Sequence, residues 1–330
     1  MPNQALRHAI GVDLGGTKIE IGIVNDRGEI VDHTRLETDS EDGAASVEKR
    51  ILKSIIDLRN KNSVSISGVG IGVAGQIEPY TGTVIFAPNL KWHNIPLKAN
   101  IAKAIGLPIT IVNDVRAITI GEWFYGAGKD CQDLLCVFIG TGIGSGIVSG
   151  GRLLTGCSNT CGEVGHMTID LSGPICTCGK KGCFEAVAGG WGIAETARSI
   201  VEADGRGAAS KCMLELANGT IQNIDAKIVA KAYLKGDPLA KRLIQDVQRA
   251  LIAGLTNLVN LFNPCRLILG GGFIDGLPEI VPILEMGIKE IALKAATKPL
   301  EVVTAKLGKK VGVIGSAAAF FNSNEEQKRG

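Results

Sequence analysis

Twice in this chain an apolar strand runs into a glycine-rich tip and straight out again as a second strand. Ala9-Ile-Gly-Val-Asp13 leads into Leu14-Gly15-Gly16-Thr17, and Lys18–Val24 returns with apolar residues alternating with polar or small ones. Leu134–Ile139 leads into Gly140-Thr-Gly-Ile-Gly-Ser-Gly146, and Ile147-Val148 opens a second return. A hairpin followed by alternating helices and strands demands a mixed sheet with the hairpin at one edge and helices over its faces. The unit recurs without a close sequence repeat, which predicts two α/β domains of duplicated architecture facing a cleft. The expected division is residues 1–120, joined by a C-terminal helix at about 312–330, and residues 121–311. A chain of 330 residues is long enough for two such cores.

Between the hairpins, Val47, Ile51, Ile55 and Leu58 share one face of a helix predicted near Ala45–Leu58. A buried strand is predicted at Val69–Val73, closed by Ala74-Gly75. Another at Ile109–Val112 ends in Asn113-Asp114, with a helix after it. The second half predicts helices near Phe184–Ala203, Asp225–Leu234, Leu239–Phe262 and Leu277–Ala295, with a strand at Cys265–Leu269 running into Gly270-Gly-Gly272. A last helix starts at Ile314–Phe321, and the polar tail from Asn322 is expected to fray. A formal net charge of +2 makes no case for nucleic acid or a membrane surface as partner, and no apolar run reaches the length of a span. Nine cysteines, an odd number, with no leader-like segment at the start, lead to the expectation of a cytoplasmic protein whose thiols are free or metal-bound.

Asp13-Leu-Gly-Gly-Thr-Lys18 is neither a Walker loop nor a dinucleotide fingerprint, because a strand follows where those motifs need a helix. A hairpin tip with Gly15, Gly16 and Thr17 instead points several backbone N–H groups at one place, a concavity suited to phosphate oxygens. Lys18 adds positive charge, and Asp13 is suited to hold Mg²⁺ through water. Thr141 and Gly142 form the matching second tip. Gly271 and Gly272, after a strand, offer a third close approach, suited to the adenosine end of a nucleotide. Asp114, at a strand end and a helix start, reads either as a helix cap or as a general base for a sugar hydroxyl, with Asn113 beside it for a neighbouring hydroxyl. Gly75 and Asn89 are further candidates for ligand contact, and Trp92 suits either stacking on a sugar or packing.

Cys176-Thr-Cys178-Gly-Lys-Lys-Gly-Cys183 places three thiols within eight residues, and His166 stands ten residues upstream. Three thiolates and an imidazole complete the tetrahedral shell of Zn²⁺ and leave no position for water, so the metal is expected to be structural. Gly179 and Gly182 let the knuckle turn at positive φ. Glu163 and Glu185 flank this region and are expected to face a substrate. Cys157 and Cys161 are further thiols that could compete as ligands.

With Asp13–Lys18, Asn113-Asp114, Gly140–Gly146, Glu163-Val-Gly-His166 and Cys176–Glu185 in view, the chain resembles the ROK family of sugar kinases and repressors, its bacterial ATP-dependent glucokinases most of all. The resemblance runs from about Ile10 to Phe321. It implies an actin-like ATPase fold of two duplicated ribonuclease H-like domains. It also implies Asp114 as catalytic base, zinc on His166, Cys176, Cys178 and Cys183, and sugar contacts from Gly75, Asn89, Asn113, Asp114, Glu163, His166 and Glu185. His166 would then give one ring nitrogen to zinc and the other to sugar.

The activity so implied is transfer of phosphate from ATP, with Mg²⁺, to the 6-hydroxyl of glucose. The alternatives are another hexose (mannose, fructose or N-acetylmannosamine) or polyphosphate as donor. One departure is that Glu185 is followed by Ala-Val-Ala-Gly-Gly190, where many relatives carry a serine. A homodimer or homotetramer is implied as well. Family repressors carry a DNA-binding module ahead of the kinase-like part. With a first strand beginning by Ala9, the expectation here is an enzyme.

Overall fold

The computed structural model describes residues 6–205, 207 and 210–329, which divide into two compact units. The first holds the residues up to Cys131, Leu153–Cys161 and those from Ala305 onward. The second holds Gln132–Arg152 and Gly162–Thr304.

The first unit opens with β1 (His8–Leu14), β2 (Lys18–Asn25) and β3 (Ile30–Glu37), followed by α1 (Ala44–Lys61) and β4 (Ile66–Val73). A small antiparallel sheet of β5 (Gln76–Ile77), β6 (Val84–Ala87) and β7 (Trp92–Ile95) comes next, then α2 (Leu97–Ile105), β8 (Ile109–Asn113) and α3 (Asp114–Tyr125). The main sheet has the order β3-β2-β1-β4-β8, antiparallel across the hairpin strands and parallel from β1 to β8.

Alternation along β1 decides what each face meets. Ile10, Val12 and Leu14 turn to the α1 side, where Val47, Ile51, Ile55 and Leu58 close the core as the helical spacing predicts. Each aliphatic side chain so buried contributes about 1.5–3 kcal/mol. Ala9 turns the other way, toward Val313, Ala317, Phe320 and Phe321 of the chain's last helix.

The second unit repeats the plan. It contains β9 (Leu134–Ile139), β10 (Ile143–Ser149) and β11 (Arg152–Leu153), the last ending at the unit boundary. Then come α4 (Phe184–Ala188), α5 (Gly190–Ala203), α6 (Lys211–Leu216), α7 (Ala226–Leu234), α8 (Pro238–Phe262), β12 (Arg266–Gly270), α9 (Gly272–Gly276), α10 (Ile280–Ile291), α11 (Lys294–Thr297) and β13 (Glu301–Thr304). The sheet order β11-β10-β9-β12-β13 is that of the first unit, with β9 and β10 antiparallel and β12 parallel to both neighbours. α8 is bounded as its sequence dictates: Asp237 caps it through Ala240 N–H with Pro238 in the first turn, and Asn263 ends it in the left-handed region.

The chain closes with α12 (Val311–Arg329), which belongs to the first unit. It sits flat on the sheet because β1 and β4 present glycines there. A Cβ on Gly11 would run into the Val313 carbonyl, and one on Gly70 into the Ser316 carbonyl.

Several expectations are corrected. The helix predicted through Phe184–Ala203 is broken at Gly189, which is extended, so α4 and α5 are separate. The return strand β10 starts at Ile143, four residues earlier than predicted. Where the sequence predicts a frayed tail from Asn322, α12 continues to Arg329, and Gly330 lies outside the described residues. Cys131 and Cys265 are each disulfide-bonded, which corrects the expectation that the thiols are all free or metal-bound. An odd cysteine count does not exclude a bridge.

Gly70→Ala is expected to lose about 1–3 kcal/mol, because the backbone of α12 would have to lift off the sheet. A urea midpoint equal to that of the unchanged chain would show that α12 is not seated as described.

Candidate active site

In the first unit, Asp13 lies near the end of β1, paired across to Glu20 in β2 and Gly72 in β4. Asp114 opens α3 directly after β8. Of the two readings for Asp114, the capping one is taken by its neighbour. Asn113 is the cap, its Oδ1 accepting from Val115 N–H at 3.0 Å and Arg116 N–H at 3.3 Å. Asn113 Nδ2 donates to the Gly75 carbonyl at 3.4 Å, which ties two predicted contact residues together.

Asp13 also lies against the start of α12, where a Cβ on Gly312 would strike its carboxylate. Burial first, then the charges of Asp114 and Glu20, push the Asp13 carboxyl up from 3.8 to about 7. A carboxyl so placed is a latent cation ligand, because a bound cation reverses the cost of ionising it.

The tip between β1 and β2 is closed by Gly15 N–H donating to the Lys18 carbonyl at 3.0 Å. Thr17 and Lys18 are exposed. The tip is held from behind by Thr38, a residue that sequence reasoning missed. Thr38 N–H donates to the Thr17 carbonyl at 2.9 Å, and Thr38 Oγ1 donates to the Gly15 carbonyl at 2.7 Å. Arg50 in turn donates to the Thr38 and Asp39 carbonyls and pairs with Asp42. Gly16 lies on Asn89, since a Cβ there would come within 2.8 Å of the Asn89 Cβ. Asp13, Gly15, Gly16, Thr17, Lys18, Gly75, Asn89, Asn113 and Asp114 are thus joined through β1, its tip, β8 and their neighbours. Trp92 does not join them. It is 2% exposed and part of the core, which settles its two readings for packing.

In the second unit, a ring nitrogen of His166 and the Sγ atoms of Cys176, Cys178 and Cys183 all lie within 4.8 Å of one another. Cys176 Sγ is 3.7 Å from His166 Nδ1, and Cys178 Sγ is 3.7 Å from Cys183 Sγ. A zinc tetrahedron with Zn–S of about 2.3 Å has S–S edges of about 3.8 Å, so the donor set fits that ion. Gly179 and Gly182 do turn at φ 82° and 72°. Burial pushes the Cys183 thiol up to about 12, a cost that a cation among the thiols would remove. Cys157 and Cys161 are not in this cluster and belong to a loop of the first unit.

Glu163 precedes the single turn Val164–His166 and is exposed, as is His166. Glu185 has both oxygens engaged. Oε2 accepts from Ile143 N–H at 2.9 Å, just beyond Gly142, and Oε1 accepts from the Trp191 indole N–H at 3.0 Å. Each carboxylate oxygen keeps a second lone pair for a ligand hydroxyl.

The break at Gly189 lets the start of α5 reach the second glycine tip. Gly190 N–H donates to the Gly140 carbonyl and Trp191 N–H to the Thr141 carbonyl. Beside them a cavity of about 830 Å³ is lined by Thr141, Trp191, Arg198, Lys231 and Gly272 among others, so two predicted nucleotide positions share one wall. Gly271, the residue before α9, has φ 91°. Trp191 and Arg198 were not singled out from the sequence, where they read as ordinary members of a helix.

The ROK family profile matches residues 9–323. The chain belongs to the ROK family. It is 33% identical over 309 residues to the glucokinase of Streptomyces coelicolor, covering 93% of this chain and 96% of that one. It is 35% identical over 265 residues to a putative xylose repressor of Caldicellulosiruptor sp., covering 79% of this chain and 65% of the repressor. A crystal structure of a ROK family glucokinase from Streptomyces griseus with glucose and AMPPNP matches with a TM-score of 0.78 and 32% identity, over 94% of this chain and 98% of that one. The fold is therefore the actin-like one of duplicated ribonuclease H-like domains, as the repeated sheet order requires. Among the described residues no helix is long and apolar enough to cross a membrane.

Asp13 also sets a pH dependence. Its folded pKa of about 7 lies above the usual 3.8, so between those values the native chain binds the extra proton. Its contribution to stability is harmless below the lower value, falls as pH rises through the window and is lowest above 7. Asp13→Asn is expected to raise stability at pH 8 by about 1–3 kcal/mol, with little change near pH 4. Urea titrations at the two pH values check this, and equal effects at both would contradict it.

Proposed function

We propose that this chain is an ATP-dependent hexose kinase that phosphorylates the 6-hydroxyl of D-glucose, with Asp114 as general base. The observation that carries the reading is the start of α3, where Asn113 caps the helix and Asp114 follows it, close enough to Asp13 of β1 to disfavour that carboxyl's charge. Likeness over nearly the whole chain to a protein named glucokinase, and to a structure holding glucose and AMPPNP, supports it.

In this reading Asp114 accepts the hydroxyl proton as the phosphoryl group arrives, so that the attacking oxygen becomes more nucleophilic as the P–O bond forms. Asn113 has committed its Oδ1 to the cap and would offer Nδ2 to a sugar hydroxyl. Asn89, the Gly75 backbone, Glu163, Glu185 and the exposed His166 would take other hydroxyls. The amides at Gly15, Gly16 and Thr17 with the Lys18 charge, and the tip at Thr141 and Gly142, would hold the phosphates. Gly271 and Gly272 would meet the adenosine end. Mg²⁺, when bound through Asp13, neutralises phosphate charge. Zinc on His166 Nδ1, Cys176, Cys178 and Cys183 fixes the knuckle and leaves Nε2 of His166 for the sugar.

The likeness to a repressor favours a second reading, a sugar-binding regulator without turnover. An assay of hexose phosphate formed from glucose, mannose, fructose or N-acetylmannosamine, with ATP or polyphosphate as donor, separates the two. No phosphate transfer to any hexose would overturn the kinase reading.

Two variants test the parts. Asp114→Asn is expected to lower kcat by roughly 100-fold or more, the usual worth of a general base. A near-normal kcat would remove Asp114 from that role. Cys178→Ala is expected to lose bound zinc by elemental analysis, to lower Tm and to raise KM for glucose, because His166 loses its anchor. Full zinc occupancy with unchanged Tm and KM would break the link between metal and sugar.

A further inference from the structure

Trp191 makes four attachments within the second unit. Its ring lines the cavity of about 830 Å³. Its indole N–H donates to Glu185 Oε1 at 3.0 Å. Its backbone N–H donates to the Thr141 carbonyl at 2.9 Å. Its ring also packs on Cys176, Cys183 and Ala186.

An indole so held cannot turn within the cavity wall without breaking a charge-assisted bond to a carboxylate. That carboxylate is anchored at its other oxygen by Ile143 N–H, the first residue of β10 beyond the Gly140–Gly142 tip. Whatever fills the cavity against the ring therefore bears on Glu185, and whatever donates to Glu185 bears on the ring.

We propose that Trp191 is a positioning residue through which a nucleotide in this cavity orients Glu185 for the hexose. The proposal rests on the kinase reading for the identity of the two ligands. Its physical content is a coupling between two occupancies carried by one indole N–H. Coupling of this kind is reciprocal: a nucleotide that tightens hexose binding by some factor is tightened by hexose by the same factor.

The test is calorimetry on the full chain with AMPPNP and D-glucose, each alone and each in the presence of the other, for the wild type and Trp191→Phe. Phenylalanine keeps an aromatic wall and removes the N–H. The wild type is expected to bind D-glucose about 5-fold or more tightly with AMPPNP present. In Trp191→Phe that ratio is expected to fall below about 2, with KM for hexose raised more than kcat is lowered. A purely structural role would lower Tm and leave the ratio untouched, which would overturn the proposal, as would absence of coupling in the wild type.

Should Trp191→Phe fail to fold, indole ¹⁵N–¹H spectra of the wild type read the same bond. The chain has three tryptophans. One of the three indole peaks must shift with AMPPNP alone and again with D-glucose alone, and a set in which no peak answers to both ligands overturns the proposal. These are equilibrium measurements, so absence of ADP release by the wild type would strike the kinase reading and leave the coupling result to stand or fall by itself.

Discussion

A carboxylate taken out of water must be given donors or a cation, and this chain resolves that demand in two ways. Glu122, fully buried in α3, receives backbone N–H bonds from Ala127, Lys306 and Leu307, and so fixes the turn after its own helix and the approach to α12. Glu185 receives one N–H from the second hairpin and one from the Trp191 indole. In both cases the carboxylate satisfies backbone or ring donors that burial would otherwise leave costly, and it becomes a fixed point for the loops around it. Asp13 is treated differently. Burial first, then the charges of Asp114 and Glu20, disfavour its ionised form. The contrast separates carboxylates whose charge the fold satisfies from one whose charge it opposes.

The parts readable in the sequence are those whose physics is local. The face of α1, the Pro238 start and Asn263 end of α8, and the two hairpins follow from periodicity, caps and glycine spacing within a few residues. The clustering of His166, Cys176, Cys178 and Cys183 was readable because ligand chemistry is carried by residue type, and three of the four side chains sit within one knuckle. The duplication was readable because each hairpin announces its own sheet edge, and the identical strand orders bear that out.

What escaped reading depends on contacts between distant residues. Thr38 follows a strand with nothing nearby to mark it, and its role exists only because β3 ends where it can reach back to Gly15 and Thr17. Trp191 looked like an ordinary residue of one long helix. Gly189 and Gly190 were in plain view as possible breakers, but two glycines in a helical pattern do not say which way the chain turns. The turn matters because it sets the first amides of α5 on the carbonyls of the second glycine tip. For Trp92 the sequence left stacking and packing open, and at 2% exposure it is part of the core, because burial is fixed by contacts that the sequence does not display.

The same reasoning bears on why a kinase and a sugar-responsive regulator can share this fold. Hydroxyl recognition needs donors and acceptors held at fixed spacing, and a zinc ion on the four protein donors proposed above would fix the knuckle with no exchangeable position. Phosphoryl transfer asks for one thing more, a base whose charge is not spent on the fold. At the start of α3 the helix needs a cap, and either Asn113 or Asp114 is chemically fit to give it. Asn113 gives it, its Oδ1 accepting from Val115 N–H and Arg116 N–H. Swapping the two residues would keep the helix and its composition but place the carboxylate on the amides. In the proposed kinase reading, the order Asn-Asp gives the cap to an amide side chain and the base role to the carboxylate that follows it.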